Sequence, residues 1–529
     1  MRKKWHTMIS LAAAYLLAMT GCTKIEQFSE NSGISMIATQ TTQLETDMAE
    51  TEPETTSVQY EEVALEVPEI DRQDVSIILE AEDTAIPEYC AISVMPRLGY
   101  SGTGYLSGIS ANNGTKLTLE TEIPATQHYD ITIVAGSAAA CTCKVEANGE
   151  TVYTLVMDST ENFLRITMQG IFLQEGDCTL TIVPEDGVID VDCVELTNNT
   201  SLYDDEASID DMPTDADASD AAVELYQFMK SQYGSKIMTG QYVSSSEETE
   251  LEEIYKITGK YPLIRFADVG GYTESSTAEA TAVQDSLNWA AKGGVVGLIW
   301  YWTAPMDEAD IYTENTSFSL ANAVTDADIA DSDEAELLQL KADGKISEEC
   351  YALIQDIDAI AAALQPLADA DVAVLWRPLM EASGGWYWWG ASGADAYVWL
   401  WDLLYTRMTE YHGLHNLIWI WNGQSDSFLV DEDQYDIASL DLYVEEDSDE
   451  EFGSRYEQYV ALRNMIPNKL LAMSECSTVP DTNAMFRDNA VWSFFGLWYG
   501  VYLEESYTDK SALIAMYNSE AALTRGDFS

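Results

Sequence analysis

Residues 347–381 read SEECYALIQDIDAIAAALQPLADADVAVLWRPLME, a helical pattern that runs directly into an apolar strand pattern. Its first part places apolar residues three and four positions apart, which is the period of a helix with one buried face. Its last part, VAVLWRPLME at 372–381, is an apolar run of the kind that forms a buried parallel strand. A helix that leads directly into such a strand is the repeating unit of α/β folds.

Further apolar runs of this kind occur along residues 221–529. They are KIMTGQY, PLIRFADVGG, GGVVGLIWYW, NLIWIWN, YDIASLDLYV, KLLAMSE and WSFFGLWYG. Eight strands that alternate with helices predict an α/β fold, a (β/α)8 TIM barrel. The active site of such a barrel lies at the C-terminal ends of its strands, so we expect the catalytic residues near the end of each run.

The region ahead of the barrel has a different pattern. Residues 73–198 contain short alternating runs such as KLTLETEI and YDITIVAG, broken by Gly, Asn and Asp, and this predicts an all-β sandwich domain. Residues 23–72 and 199–220 are acidic and poor in apolar residues, so they bury too little surface to offset chain entropy. We expect an acidic disordered linker at 23–72 and an interdomain linker at 199–220.

The N-terminal residues 1–22 read MRKKWHTMISLAAAYLLAMTGC, in which basic residues precede a short apolar run. This layout is typical of a secretory signal, and the run is shorter than the about 20 apolar residues that span a bilayer. Its end resembles the lipobox of bacterial lipoproteins, which implies lipidation of Cys22. The sequence therefore predicts an extracellular, cell-surface lipoprotein that touches the membrane only through this N-terminal anchor.

The chain of 529 residues carries a formal net charge of -66. Nucleic acids and anionic lipid surfaces are polyanions, so this charge disfavours both as partners and favours a neutral ligand. The eight cysteines form no CxxC pair and only four histidines are present, which disfavours a zinc site. Disulfides remain open, because their pairing cannot be read from the sequence.

Two glutamates occupy corresponding places in the predicted barrel. Glu381 comes at the end of the fourth run and Glu475 at the end of the seventh, so both are expected in one mouth. Glycoside hydrolysis requires two such carboxylates, one to protonate the departing oxygen and one to attack or stabilise the anomeric carbon. Apolar surroundings and the second carboxylate would raise the pKa of the proton donor.

Aromatic residues are concentrated around these glutamates, since thirteen of the fourteen tryptophans lie between Trp289 and Trp498. Sugar rings present flat C–H faces that pack on aromatic faces, so we expect Trp386 and Trp498 to bind the substrate. Trp302 and Tyr301, at the end of the third run, are further candidates for binding or support. Core packing is the alternative for each tryptophan.

The motifs WRPLMEASGGWYWWG and LAMSE resemble those of glycoside hydrolase family 26, and the resemblance covers the whole predicted barrel. It implies that Glu381 is the general acid/base and Glu475 the nucleophile. Arg377 would hold the nucleophile ionised, with a structural salt bridge as the alternative. Tyr443 in DLYV matches a tyrosine that hydrogen-bonds the nucleophile, and the run HNLIWIWNG at 415–423 also resembles family members.

The resemblance implies a retaining endo-glycanase that needs no cofactor for catalysis and cleaves β-1,4-mannan or a related plant polysaccharide. Family members often carry histidines where this chain has Met380 and Tyr301, which leaves the exact substrate open. An endo-β-glucanase or xylanase on the same barrel is the main alternative. A non-catalytic glycan-binding lipoprotein is the alternative from another class.

The sandwich resembles carbohydrate-binding module family 35 through LEAED at 79–83, YSGTGYLSG at 100–108 and DCVEL at 192–196. By this resemblance, Glu80, Glu82 and Asp192 would be ligands of a structural calcium ion, which suits a hard cation. Solvated acidic residues are the alternative. The domain has no tryptophan, so its own sugar binding stays open.

Overall fold

The computed structural model describes residues 60–199, 208–274, 276–278, 280–306, 310–444 and 452–528. The predicted signal at 1–22, Cys22 and most of the first linker lie outside these residues, so the predictions about them stay predictions. No helix in the described part of the chain is long and apolar enough to cross a membrane.

Residues 76–198 form two antiparallel sheets, which confirms the predicted sandwich. Its strands, within the described residues, are β1 (Ser76–Glu80), β2 (Ala91–Ser93), β3 (Tyr105–Ser110), β4 (Leu117–Ile123), β5 (Gln127–Gly136), β6 (Cys141–Ala147), β7 (Glu150–Met157), β8 (Leu164–Leu173), β9 (Gly176–Asp186) and β10 (Val188–Asn198). One sheet has the order β2-β3-β10-β5-β8 with β1 on β10, and the other has the order β4-β9-β6-β7. Along β6 every second residue is buried, as expected for a strand with one face toward the core.

The C-terminal region forms a closed parallel barrel, which confirms the second prediction. Its eight strands, counted within the described residues, are β11 (Ile237–Tyr242), β12 (Ile264–Asp268), β13 (Val295–Ile299), β14 (Val374–Arg377), β15 (Leu417–Trp421), β16 (Ile437–Leu442), β17 (Leu470–Cys476) and β18 (Phe494–Leu497). Each strand pairs with the next, and β11 pairs with both β12 and β18, which closes the barrel. A short strand, β19 (Ala522–Leu523), pairs with β11 from outside.

Helices connect these strands. They are α1 (Asp220–Gln232), α2 (Thr249–Thr258), α3 (Ala282–Ala290), α4 (Leu320–Ala323), α5 (Glu334–Ala342), α6 (Glu348–Asp369), α7 (Trp388–Ala391), α8 (Ala394–Thr406), α9 (Tyr456–Met465), α10 (Thr482–Arg487) and α11 (Lys510–Asn518). The stretch at 347–381 folds as predicted, into the helix α6 and the strand β14. Ser347 caps α6 by accepting a hydrogen bond from the Cys350 N–H. The apolar stripe of α6 is buried, and the chain then enters β14.

Part of the predicted disordered linker at 23–72 lies against the barrel instead. The Val63 N–H donates to the Asn518 carbonyl at 2.7 Å, and the Glu520 N–H donates to the Val63 carbonyl at 2.9 Å. These backbone bonds satisfy polar groups that a free linker would leave to water. The prediction of disorder is therefore wrong for the residues around Val63.

The end of the second predicted linker, 199–220, also belongs to the barrel domain. Ile209 is buried, and the Asp210 carboxylate accepts an ion pair from Lys469 Nζ at 2.8 Å. The acidic composition concealed these anchors, because a single buried apolar residue and specific charge pairs do not change the average polarity of a segment.

Candidate active site

Glu475 lies in β17, one residue before the strand ends at the C-terminal mouth of the barrel. Its Oε1 accepts a hydrogen bond from Arg377 Nη1 at 2.6 Å, and its Oε2 accepts one from Tyr443 Oη at 2.7 Å. Both contacts are those that the sequence predicted. Because Arg377 ends β14 and Tyr443 directly follows β16, donors from two other strands orient the carboxylate from two sides.

Arg377 is fully buried and is shared between two carboxylates. Its Nη2 donates to Asp441 Oδ2 at 2.5 Å and to Asn422 Oδ1 at 3.1 Å, while Nη1 also donates to Tyr242 Oη at 3.0 Å. Burial alone would lower the pKa of Arg377, but the oxygens of Asp441, Tyr242 and Glu475 outweigh it and raise that pKa well above its ordinary value. The guanidinium therefore stays charged beside Glu475.

Asp441 is a member of the site that the sequence analysis missed. It is buried in β16, where its Oδ1 accepts a hydrogen bond from Ser474 Oγ at 2.6 Å and its Oδ2 one from Gln424 Nε2 at 3.3 Å. Burial raises the pKa of Asp441, and the charge of Arg377 opposes this increase. Side chains alternate along a strand, so the residue two positions before Tyr443 could have been expected on the same side.

Glu381 lies in the turn after β14 rather than at the end of the strand, which stops at Arg377. Its backbone is left-handed, with φ of 52°, and its N–H donates to the Asn422 carbonyl at 2.8 Å and to Asn422 Oδ1 at 2.9 Å. A left-handed glutamate is uncommon and persists only where neighbours impose it. Asn422, which directly follows β15, therefore fixes both Arg377 and the turn that presents Glu381.

The Glu381 carboxyl is partly exposed at the mouth and is surrounded by protein on its other sides. Trp386 Nε1 donates to its Oε2 at 3.1 Å, and Gln424 Nε2 approaches its Oε1 at 3.5 Å. Burial is the main cause, and the Glu475 charge the second, of a pKa raised to about 7. Glu381 is thus a carboxyl that holds a proton near neutral pH, as the sequence predicted for the proton donor.

Three tyrosines surround the two glutamates. Tyr301 packs edge-on against Tyr387 with ring centroids 6.2 Å apart, and Tyr443 contacts Glu475 as described. Burial and then neighbouring acidic groups raise the pKa of each phenol well above its ordinary value. The phenols therefore stay neutral and keep their O–H donors throughout the pH range in which Glu381 titrates.

Most of the tryptophans in the described residues are core residues, which is the alternative that the sequence left open for each of them. Those with fully buried side chains are Trp300, Trp302, Trp376, Trp388, Trp389, Trp401, Trp419, Trp421 and Trp492. For Trp302, a candidate for binding or support, the ring has no exposed face, which suits support: it stacks on Trp300, and its Nε1 donates to Asp356 Oδ2 at 2.7 Å. Trp386 is 38% exposed, and Trp498 is partly buried beside Tyr242, so these two keep faces that a ligand can reach.

The two departures from the family pattern differ in their surroundings. The Met380 side chain is fully buried, and its carbonyl accepts a hydrogen bond from Trp389 Nε1 at 2.8 Å. Tyr301 instead belongs to the aromatic group beside the glutamates, and its N–H donates to Asp268 Oδ1 at 2.8 Å. Met380 therefore offers no polar side-chain group, whereas Tyr301 keeps a hydroxyl beside the glutamates.

The three residues predicted to bind calcium all accept hydrogen bonds from one loop of the sandwich, at Ser101 and Thr103. Ser101 donates through its N–H to Asp192 and through its Oγ to Glu80, while the Thr103 N–H donates to Glu82 Oε1 at 2.6 Å. In the part of the chain that the structure describes, no group of three or more acidic, His or Cys side chains is arranged to hold a metal ion. The cysteines in that part are all free thiols.

Residues 214–527 match the family model of glycosyl hydrolase family 26, and residues 78–199 match that of carbohydrate binding module family 35. A mannan endo-1,4-beta-mannosidase of Thermothelomyces thermophilus is 31% identical over 440 residues, covering 80% of this chain and 85% of that protein. A Piromyces mannan endo-1,4-beta-mannosidase B is 29% identical over 426 residues, covering 77% and 70%. The crystal structure of the GH26-CBM35 beta-(1,4)-mannanase of Podospora anserina is 30% identical, with a TM-score of 0.59, covering 86% of this chain and 99% of that one. The chain therefore belongs to glycosyl hydrolase family 26.

Proposed function

We propose that the protein is an endo-β-1,4-mannanase that cleaves its substrate with retention of configuration. One observation carries the proposal: a carboxyl whose pKa is about 7 faces a second carboxylate that is fully hydrogen-bonded to Arg377 and Tyr443. A protonated acid and an oriented nucleophile are the two groups that double displacement requires. The names of its relatives point to mannan as the substrate.

In the first step, Glu475 attacks the anomeric carbon while Glu381 gives its proton to the glycosidic oxygen. The bond from the anomeric carbon to that oxygen breaks, and an ester to Glu475 forms. Arg377 and Tyr443 orient the attacking carboxylate. Glu381 is left as a carboxylate, whose charge is tolerated because Glu475 has lost its own on becoming an ester.

In the second step, the Glu381 carboxylate takes a proton from a water molecule that attacks the same anomeric carbon. The ester bond breaks, Glu475 leaves as a carboxylate, and Glu381 is again protonated. Two inversions give net retention. The proton donor and nucleophile of this cycle should have carboxyls about 5–5.5 Å apart, a separation that a substrate-bound crystal structure would measure.

The substrate expected at this mouth is a neutral sugar chain. Trp386 offers an exposed ring beside Glu381, and the tyrosines offer neutral O–H donors, which suit hydroxyl-rich ligands better than charged ones. An endo-β-glucanase or xylanase would need the same catalytic pair. A glycan-binding protein without catalysis would not need the raised pKa of Glu381.

The test is hydrolysis of mannan, glucomannan, mixed-linkage glucan and xylan by the full chain, with reducing ends counted and the first product anomer identified by NMR. We expect mannan to be the best substrate and the β-anomer to appear first. Glu475→Gln is the matched control, since it keeps the shape of the side chain and removes the nucleophile. Preference for another glycan, or an α-anomer as first product, would contradict the proposal.

We further propose that Glu80, Glu82 and Asp192 bind calcium. Glu82 Oε2 is buried without a hydrogen-bond partner, and carboxylate oxygens are the ligands that calcium prefers. Calcium should raise the melting temperature of the full chain, because a ligand of the folded state shifts unfolding by mass action, and Glu82→Gln should abolish the increase. An equal melting temperature in calcium and in chelator would refute this.

We also propose that the protein is exported and lipid-anchored at Cys22. The support is the run of basic residues, the apolar segment and the Thr-Gly-Cys end within residues 1–22. Cys22→Ala should move the protein out of the membrane fraction of the producing cell. An unchanged distribution between fractions would refute the anchor.

A further inference from the structure

The sandwich and the barrel meet through a buried polar cluster. From Tyr60 onward the chain forms one compact unit, in which His128 of β5 is fully buried and its Nε2 lies 2.8 Å from Asp488 Oδ1. Asp488 directly follows α10 and also accepts a hydrogen bond from Ser454 Oγ at 2.5 Å. Breaking a buried, paired group is costly, so this cluster holds the domains in one arrangement.

An aromatic contact lies beside this cluster. Tyr456, the first residue of α9, stacks on the His128 ring with centroids 6.3 Å apart. The same tyrosine fills a notch at Gly170 in β8, where an added Cβ would lie 1.9 Å from the tyrosine ring. The two rings and the glycine thus fit without space for another carbon atom, as in a protein core.

The barrel side of this interface belongs to the segments that follow Tyr443 and Glu475. Ser454 and Tyr456 come after β16, and Asp488 comes after β17 through the helix α10. Tyr443, which donates to Glu475, thus precedes one of these segments, and Glu475 precedes the other. The sandwich therefore contacts residues of the two segments that follow Tyr443 and Glu475.

These two segments are also bonded to each other between the interface and the site. The Ser477 N–H donates to the Leu442 carbonyl at 3.2 Å, and Ser477 Oγ accepts from the Val444 N–H at 2.9 Å. Farther out, the Asp481 N–H donates to the Gly453 carbonyl at 3.2 Å. Hydrogen bonds thus join the two segments at two places, next to Tyr443 and Glu475 and again next to Ser454.

We propose that the sandwich positions the catalytic nucleophile: its contacts at Gly170 and His128 hold Tyr456 and Asp488, and thereby keep Tyr443 and Glu475 in hydrogen-bonding geometry. This inference rests on the proposed glycosidase activity and adds a role for the sandwich that does not depend on sugar binding. Nucleophile geometry acts on the chemical step, because small displacements of a reacting group cost rate. Loss of the contact should therefore lower kcat more than it changes KM.

The test uses the full chain and a short soluble substrate, mannopentaose, with kcat and KM measured well below the melting temperature. Gly170→Ala forces Tyr456 out of its notch and should lower kcat about fivefold with little change in KM. Gly114→Ala is the matched control, because Gly114 has φ of 63° against 69° for Gly170 and its added Cβ would meet no atom within 4 Å. The control should keep the wild-type kcat.

A second pair of variants covers the case in which Gly170→Ala fails to fold. His128→Ala should lower kcat in the same way, and His128→Gln, which keeps a donor toward Asp488, should recover most of the loss. Variants that melt earlier but keep the wild-type kcat would overturn the proposal and leave the interface a purely stabilising role. A wild-type chain that does not cleave mannopentaose or mannan would instead contradict the proposed function.

Discussion

Replacing Trp386 by phenylalanine should shift the alkaline limb of the pH profile upward. The indole Nε1 donates to Glu381 Oε2 at 3.1 Å, and this bond favours the ionised carboxylate. Trp386→Phe keeps an aromatic ring for the sugar and removes the donor. The protonated form of Glu381 is the one that starts the reaction, so activity falls as the pH rises through the pKa of about 7.

The size of the shift follows from the geometry. A hydrogen bond to a charged group contributes about 1.5–3 kcal/mol when buried. Trp386 is 38% exposed, so water replaces part of the bond in the variant, and about 1 kcal/mol remains as a rough net loss. Because one pKa unit corresponds to about 1.36 kcal/mol, the limb should move up by about 0.7 unit.

The assay is the pH dependence of kcat/KM on a soluble mannooligosaccharide, which reports the free enzyme. Trp399→Phe is the matched control, since Trp399 lies in α8 and its Nε1 donates to the Thr325 carbonyl at 3.2 Å rather than to a glutamate. The control should leave the limb in place. If Trp386→Phe lowers kcat/KM equally at every pH, or moves the limb to lower pH, the assigned hydrogen bond does not tune Glu381.

Glu381→Ala should lose most activity on mannan yet still form the glycosyl-enzyme from an aryl glycoside, and azide should speed the second step. Glu475→Ala should be inactive on both substrates. If the two variants are equally inactive on the aryl glycoside, the assigned roles are wrong. Tyr443→Phe removes a hydrogen-bond donor to Glu475 and should lower kcat/KM at least about tenfold. An unchanged kcat/KM would show that this hydrogen bond does not contribute to catalysis. Asp441→Asn replaces a buried acidic partner of Arg377 by a neutral amide and should cost about 3 kcal/mol in chemical denaturation, which an unaltered midpoint would contradict.

The eight barrel strands could be predicted because strands buried on both faces read as continuous apolar runs. Glu475 followed from that count, since strand ends converge at one mouth, whereas Tyr443 was implied by the family resemblance. Glu381 was placed in the right mouth but at the wrong local position. The turn that carries it depends on Asn422, a residue from the next strand, and a propensity argument does not see such a contact.

The tryptophans show where sequence reasoning fails. Trp302 and Trp386 both follow a strand and look equivalent in the sequence, yet one is fully buried and the other is 38% exposed. Ring orientation depends on partners such as Asp356, which is distant in the chain. The same limit explains why the contact of His128 with Asp488, 360 residues apart, left no signal.

The contact of Val63 with Asn518 and Glu520 has a consequence for the order in which the molecule assembles. A chain that emerges from its N-terminus completes the sandwich strands, β1 to β10, more than 300 residues before Asn518 appears. The barrel closes only when β18 pairs with β11, so the pairing of its first strand is complete only after its last strand has been made. Contacts between distant residues slow folding, because the entropy cost of closing the loop comes before the contacts stabilise the fold. The segment at Val63 can therefore reach its position on the barrel only after Asn518 and Glu520 have been made.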